Sequence, residues 1–342
     1  CGASYHYARE AAPEATFLKL GFSYPLPESL IRDFFSRVKK VAVVEELEPF
    51  LEEQLLQMGL SLTPKPVAFR LGEYDPDRVR ELLGRPVAEV VGAAATPGRP
   101  PVMCAGCPHR PVFTVLKKMK MIVTGDIGCY TLGTLPPLSA LDTCVCMGAG
   151  IGHAFGMTRV LPEEQRRKVV AVIGDSTFIH SGITPLIDMV YNKGCSTVII
   201  LDNRTTAMTG RQEHPGTGRT LKGDPAKQLD LFKLCQSVGV EDVRMVDPYD
   251  LAAVQEAITH AVESDQPSVI ITNRPCVLIR SNRTEALWID EEKCRSCGLC
   301  AKTGCPAILD REGKFMIDSS KCWACGLCRQ VCPFEAISER EN

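Results

Sequence analysis

The sequence predicts an α/β protein built on a mostly parallel sheet, followed by a small module held by cysteines. Two observations carry this. Short runs such as Val169-Val-Ala-Val-Ile173, Thr197-Val-Ile-Ile-Leu201 and Ser268-Val-Ile-Ile-Thr272 are apolar almost throughout, as strands covered on both faces are, and helix-like stretches separate them. Eight of the 17 cysteines lie in the last fifty residues, in two runs of nearly the same spacing.

The elements follow in order. Val41-Ala-Val-Val44 reads as a buried strand, and Glu48 to Gly59 as the helix after it. A Pro/Gly/Ala stretch at 92–101 reads as a linker closing a first region of 1–95. Helices are expected at Val112–Lys120, Gly148–Val160, Ile183–Asn192 and Leu251–Glu263. Met121-Ile-Val-Thr124 adds a strand to the three above. A second boundary near 281–292 separates a 96–285 α/β domain from a 286–342 tail. The tail repeats itself with a period of 28 residues, and so small a module has little core of its own.

At 342 residues and 45% hydrophobic, the chain can bury a sizeable core and form two or three domains. A net charge of −2 gives no reason to expect nucleic acid as a partner. No apolar run approaches the ~20 residues of a membrane span. The opening Cys1-Gly-Ala-Ser-Tyr-His6 has no secretory pattern and lacks an initiator methionine, so residue 1 is expected to lie inside a longer protein. Cysteines kept as free thiols rather than disulfides point to the cytoplasm.

The second cysteine run, Cys322, Cys325, Cys328 and Cys332-Pro333, has the C-x2-C-x2-C-x3-C-P pattern of bacterial ferredoxins. The first, Cys294, Cys297, Cys300 and Cys305-Pro306, has one more residue before its last cysteine. In two-cluster ferredoxins the fourth cysteine of each run ligates the other cluster. Cys294, Cys297, Cys300 and Cys332 are therefore expected on one [4Fe–4S] cluster, and Cys322, Cys325, Cys328 and Cys305 on the second. A disulfide-stapled module or a zinc site fits two such runs poorly.

Polar residues sit at the C-terminal ends of two strands: Gly174-Asp175-Ser176 after one, Asp202-Asn203-Arg204-Thr205 after the next. Parallel sheets bind ligands at that edge. Asp175 and Asn203 are 28 residues apart, the length of a crossover, so a carboxylate and an amide oxygen converge there as Mg²⁺ on a diphosphate requires. Unrelated strand-end polar residues are the plainer alternative.

Gly174-Asp-Ser176 with Asp202-Asn203 resembles the thiamin diphosphate motif of the transketolase-like superfamily, with serine and aspartate replacing a glycine and an asparagine. Thr205-Thr-Ala-Met-Thr-Gly210, Lys19–Pro27, Val43-Val-Glu-Glu46, Cys104-Ala-Gly-Cys-Pro-His109, Gly125–Tyr130 and the tail resemble 2-oxoacid:ferredoxin oxidoreductases, specifically the large subunit of the indolepyruvate branch. The resemblance implies a partial transketolase C-terminal-like domain over 1–95, a thiamin diphosphate-binding domain over 96–285 and a ferredoxin-like tail. It further implies that Asp175, Asn203 and the Thr205 carbonyl coordinate Mg²⁺. Asp126, Gly128, Met147, Gly148, Gly174 and Ser176 would line the cofactor pocket, with Met147 a wedge or simple packing.

In relatives a cluster near the thiamin is held by positions matching Cys104, Cys107, Cys129 and Cys276, so a third [4Fe–4S] cluster is expected there, with buried thiols as the alternative. Cys1, Cys144, Cys146, Cys195 and Cys235 are expected to be packing residues. His109 is the candidate facing substrate or thiamin, His180 a weaker one, and His214 is placed on a loop over the site. His6, His153 and His260 carry no such expectation. The glutamate that activates thiamin would come from before residue 1 or from another chain. The implied reaction is oxidative decarboxylation of an aryl 2-oxo acid to its acyl-CoA, with electrons passing to ferredoxin and a small partner (beta) subunit completing a hetero-oligomer. Pyruvate- or 2-oxoglutarate-type activity, a non-oxidative thiamin lyase, and an electron-transfer subunit with an inactive thiamin site are the alternatives.

Overall fold

The computed structural model describes residues 1–87, 98, 100–281 and 284–339. Of the expected linker at 92–101, residues 92–97 and 99 fall outside these residues, as do 282 and 283 of the boundary at 281–292. The chain divides into two compact units, Cys1–Gly98 and Arg99–Asn342.

In the first unit, α1 (Ser4–Ala11), α2 (Glu28–Arg37), α3 (Phe50–Gln57) and α4 (Pro76–Leu82) surround a small core of Ala8, Ala11, Tyr74 and Val79. The expected strand at Val41–Val44 does not form. Ala42 makes a single bridge to Thr63, and the run is only partly buried, so it lacks the neighbours a strand needs. Glu45 instead caps α3, its carboxylate accepting from the Leu51 and Glu52 amides at 2.8 and 2.9 Å. A cavity of about 570 Å³ lies in this unit, and none of the candidate functional residues lines it.

The second unit is a sheet with helices on both faces. It contains α5 (His109–Lys118), β1 (Ile122–Gly125), β2 (Thr143–Cys144), α6 (Ala149–Val160), α7 (Glu163–Arg166), β3 (Val169–Gly174), α8 (Asp175–Thr177), α9 (Ile183–Tyr191), β4 (Thr197–Asp202), α10 (Leu231–Ser237), β5 (Asp242–Val246), α11 (Leu251–Glu263) and β6 (Ser268–Asn273). All sheet pairings are parallel and the order is β2-β1-β3-β4-β6-β5. The strand period of two sorts the side chains. Val170, Val172, Ile199, Leu201 and Ile270 face α5 and α11, while Val169, Ala171, Ile173, Val198, Ile200, Val269 and Ile271 face α6, α9 and α10. The expected β1, β3, β4 and β6 all form. β5, half-buried at the edge, and the two-residue β2 are additional.

The tail has two short antiparallel pairs, β7 (Leu287–Ile289) with β10 (Ile337–Glu339) and β8 (Ile308–Arg311) with β9 (Lys314–Ile317), and one turn of helix, α12 (Leu327–Gln330). Its small core sets Cys300, Cys322 and Cys328 among Ala105, Leu287, Ile289, Ala307 and Ile337. The extra residue of the first cysteine run is Gly304, at φ +70°, where a Cβ would meet Pro137 and the Arg110 guanidinium at 3.0 Å. The insertion lets the tail lie against the body. Among the described residues no helix is long and apolar enough to cross a membrane.

Candidate active site

Four adjacent strands, β1, β3, β4 and β6, deliver the candidate residues to one edge of the sheet. Gly125 leads into Asp126, Gly174 into Asp175, Asp202 into Asn203, and Asn273 into Cys276 three residues on. This is where the C-terminal ends of parallel strands leave room for a ligand.

Asp175, 2% exposed, is held in place by backbone. Its Oδ1 accepts from the Ser176 amide at 2.8 Å and its Oδ2 from the Arg204 amide at 2.9 Å. His214 Nε2 lies 3.2 Å from Oδ2. His214 Nδ1 accepts from the Gly216 amide at 3.2 Å, and its buried Nε2 makes no hydrogen bond among the described residues. Asp202 lies beside this carboxylate. Burial, and then Asp175, push the Asp202 carboxyl up to about 6. Arg204 Nε at 3.2 Å and the Asn273 amide offset part of the charge. Two buried acids side by side suit a divalent cation with oxygen ligands.

Asn203 is the junction of the site. Its backbone carbonyl accepts from the Cys276 amide at 2.9 Å, and its Oδ1 accepts from the Thr205 amide at 3.2 Å. Its Nδ2 donates to His109 Nε2 at 3.1 Å. Burial pushes the His109 imidazole down to about 4, against the pull of Asp175, so the ring is neutral and able to accept. Its edge packs against Tyr130, ring centroids 5.9 Å apart. His109 begins α5, three residues earlier than expected, immediately after the Cys104–Cys107 loop.

Asp126 is fully buried, and its carboxylate is engaged: it accepts from the Gly148 amide at 2.9 and 2.8 Å and from Ile127 at 2.8 Å. It thus caps α6. Gly148 precedes that helix at φ +88°, where a Cβ would fall 2.3 Å from Ser181 Oγ. At Gly128 and Gly174 the close approach is to the Tyr130 ring, 2.4 and 2.7 Å from an added Cβ. Ser176 Oγ accepts from Thr206 at 2.8 Å, and Thr205 is 5% exposed. Met147, by contrast, is 47% exposed. Cys144 and Cys146 are exposed, which corrects their assignment to packing: two-residue β2 lies at the edge of the sheet. Cys235 is buried as expected. His180 is exposed and bonds only to Ser181 at 3.1 Å, whereas His214, expected merely on a loop, reaches the carboxylate.

Cys104, Cys107, Cys129 and Cys276 come together from three separate parts of the chain. Burial pushes Cys107 up to about 12, Cys104 and Cys129 adding to it; Cys129 is raised by burial and then by Cys276 and Cys104. Cys276 is raised by burial, with Cys104 again a neighbour. In the tail, one cavity is lined by Cys294, Cys297, Cys300 and Cys332 and the other by Cys305, Cys322, Cys325 and Cys328. The fourth cysteines are thus exchanged between the runs. Among the described residues no three His, Cys, Asp or Glu side chains converge on a point that would hold a single ion.

Three groups escaped sequence reasoning. The Tyr249 hydroxyl donates to the Gly106 carbonyl, Gln330 of the tail bonds the Tyr249 carbonyl at 2.7 Å, and buried Arg110 reaches the Thr303 carbonyl at 3.0 Å. These contacts join positions 81 to 193 residues apart, and no local spacing announces them.

Parts of the chain match known proteins. Residues 126–272 match the thiamine pyrophosphate enzyme C-terminal TPP binding domain, and residues 315–338 match a 4Fe-4S binding domain. The chain is 38% identical to the indolepyruvate oxidoreductase subunit IorA of Archaeoglobus fulgidus, over 98% of its own length and 58% of that protein. It is 37% identical to the subunit of the same name from Methanothermobacter thermautotrophicus (98% and 58%), and 38% to that from Pyrococcus horikoshii (99% and 59%). This chain is a homologue of those subunits. It spans under three-fifths of their length. Among solved structures, a 2-oxoglutarate:ferredoxin oxidoreductase from Magnetococcus marinus aligns with 17% identity and a TM-score of 0.44, over 52% of this chain and 65% of that one.

Proposed function

We propose that the chain carries the diphosphate-holding half of a thiamin site and the electron exit of a 2-oxoacid:ferredoxin oxidoreductase acting on aryl 2-oxo acids of the indolepyruvate type. Asn203 carries the reading. One residue bonds Cys276 through its carbonyl and His109, next to the Cys104–Cys107 loop, through its amide, while standing beside Asp175 at the sheet edge. The proposed cation site and the proposed four-cysteine site would therefore be linked through the hydrogen bonds of this one residue.

Asp175, Asn203 and the Thr205 carbonyl would hold Mg²⁺ on the diphosphate. Bound thiamin diphosphate would supply the electron sink that lets CO₂ leave a 2-oxo acid. The chain's own residues orient and dehydrate. The Ser176 and Arg204 amides fix the Asp175 carboxylate, with the His214 ring beside it, and neutral His109 fixes the Asn203 amide without adding charge. In balance, a 2-oxo acid anion and coenzyme A thiol give the acyl-CoA thioester, CO₂, a proton and two electrons, which two ferredoxin molecules accept singly.

The cavity around Cys305, Cys322, Cys325 and Cys328 also has Gly106, Cys107 and Arg110 in its wall, whereas the cavity around Cys294, Cys297, Cys300 and Cys332 is lined by tail residues alone. This supports an order: from the Cys104, Cys107, Cys129 and Cys276 set, to the cluster at Cys322, to the outer cluster at Cys294, and on to ferredoxin. A small partner subunit completing the enzyme and a cytoplasmic setting belong to the same reading.

The test is viologen dye reduction by the chain with its partner subunit, supplied with indolepyruvate, thiamin diphosphate, Mg²⁺ and coenzyme A. Asp175→Ala is expected to cut turnover by about 100-fold or more, at the upper end of losses seen when metal ligation is disturbed. Its iron–sulfur spectra should be unchanged. Undiminished turnover in this variant would refute the site. Wild-type protein with intact cluster signals that reduces no dye with any 2-oxo acid would favour the electron-transfer subunit instead.

A further inference from the structure

Arg110 is a buried cation with no carboxylate partner. Its side chain belongs to a residue only 3% exposed. Nη1 donates to the Thr303 carbonyl at 3.0 Å, and Nη2 to the Cys104 carbonyl at 3.1 Å and to the Met103 carbonyl. Nε is buried without a hydrogen-bond partner among the described residues. Three neutral carbonyls solvate a guanidinium in part, but they supply no full negative charge. An isolated charge kept from water is costly unless an anion lies close by. Among the described residues no carboxylate pairs with Arg110, yet its side chain reaches the tail backbone at Thr303.

The surroundings show what the anion would be. Arg110 forms part of the wall of the cavity ringed by Cys305, Cys322, Cys325 and Cys328. On its other side it grips the backbone of Cys104. Burial raises the Cys107 and Cys325 thiols, and in both cases the Arg110 charge pulls the other way. Gly304, in the inserted position of the first cysteine run, has no Cβ to obstruct the guanidinium. The fork therefore lies between the two four-cysteine sites and touches the chain that builds each.

We propose that Arg110 is the built-in counter-charge of the tail cluster held by Cys305, Cys322, Cys325 and Cys328, raising its reduction potential so that electrons arriving at the Cys104–Cys107 loop are drawn into the tail. This rests on the proposed assignment of clusters to the cysteine sets. Four thiolates give such a cluster net negative charge, and accepting an electron adds one more. A fixed cation nearby stabilises the reduced form more than the oxidised form, and charge in the surroundings is one of the known determinants of these potentials. At ~10 Å and an effective dielectric of about 20, the interaction is large enough to change the reduction equilibrium roughly tenfold.

The experiment is an EPR-monitored redox titration of the anaerobically purified holoprotein with its partner subunit, comparing wild type, Arg110→Gln and Arg110→Lys at equal iron content. Arg110→Gln is expected to lower one cluster's midpoint by about 59 mV, a tenfold change for one electron. Arg110→Lys keeps the charge and loses the fork, and its midpoint is expected to stay within about threefold of wild type in the same equilibrium. Unchanged midpoints in Arg110→Gln would overturn the proposal. So would equal falls in both variants, which would make Arg110 a hydrogen-bonding staple. If Arg110→Gln does not retain iron, Arg110→Lys decides alone: a preserved midpoint supports the counter-charge and a fallen one refutes it. A wild-type protein with clusters but no substrate-driven turnover would refute the enzyme reading and leave this result standing. A wild type without tail-cluster signals would remove both.

Discussion

The two donors that hold Asp175 are backbone amides that no point mutation removes, and the buried His214 ring stands 3.2 Å from the same carboxylate. That ring's tautomer is set by the Gly216 amide, and an added Cβ on Gly216 would lie 3.0 Å from the ring. His214 thus positions the proposed metal ligand from a loop between β4 and α10. Removing such an outer partner typically weakens metal binding by about 10–100-fold. His214→Ala is expected to do so for Mg²⁺ and thiamin diphosphate, read by calorimetric titration of cofactor-free protein. His214→Gln places an amide donor near the same spot and should recover at least part of the loss. Equal affinity in His214→Ala and wild type would reduce the contact to packing.

At the scale of one element, α6 shows why the same residue type acts oppositely at two places. Gly148 must adopt φ +88°, and its α-carbon faces Ser181 too closely for a Cβ. A side chain there would strain the backbone and push the helix start away from Asp126, so Gly148→Ala is expected to destabilise the sheet domain by about 1–3 kcal/mol. Gly156 lies in the exposed middle of the same helix, and an added Cβ meets nothing within 4 Å. Gly156→Ala should therefore stabilise by about 0.5–1 kcal/mol. Urea unfolding of the two variants beside wild type checks both signs, and a loss at Gly156 would mean the helix is not the packed element described. The same contrast marks what the sequence could reveal. Buried strands of the sheet announced themselves through unbroken β-branched runs, and Asp175 and Asn203 through their place at strand ends. Val41–Val44 had the same composition but no partner strands, which only tertiary context supplies. His214 and Arg110 were illegible for a related reason. The groups they touch are distant in sequence, from Asp175 to Thr303.

For the whole molecule, the decisive asymmetry is between a body with two apolar layers around its sheet and a tail with one small core in which cysteines are interleaved. The body's core residues are fully buried in numbers sufficient to stand without cofactors. The tail core has few aliphatic side chains beyond Leu287, Ile289, Ala307 and Ile337, and its strands are three or four residues long. Modules of this size rarely fold on hydrophobic burial alone, and metal-binding free energy is then folding free energy. Stripping iron by anaerobic chelation should therefore open the tail selectively. Hydrogen exchange is the measurement: amides of β7 to β10 are expected to lose protection, while those of β1, β3, β4 and β6 keep theirs. Body residues in direct contact with the tail should respond as well. Leu251, whose amide donates to Gln330 at 3.1 Å, should exchange faster, because its partner leaves with the tail. If the tail amides stay protected in iron-free protein, the module folds on its own residues and its cysteines are not what holds it together.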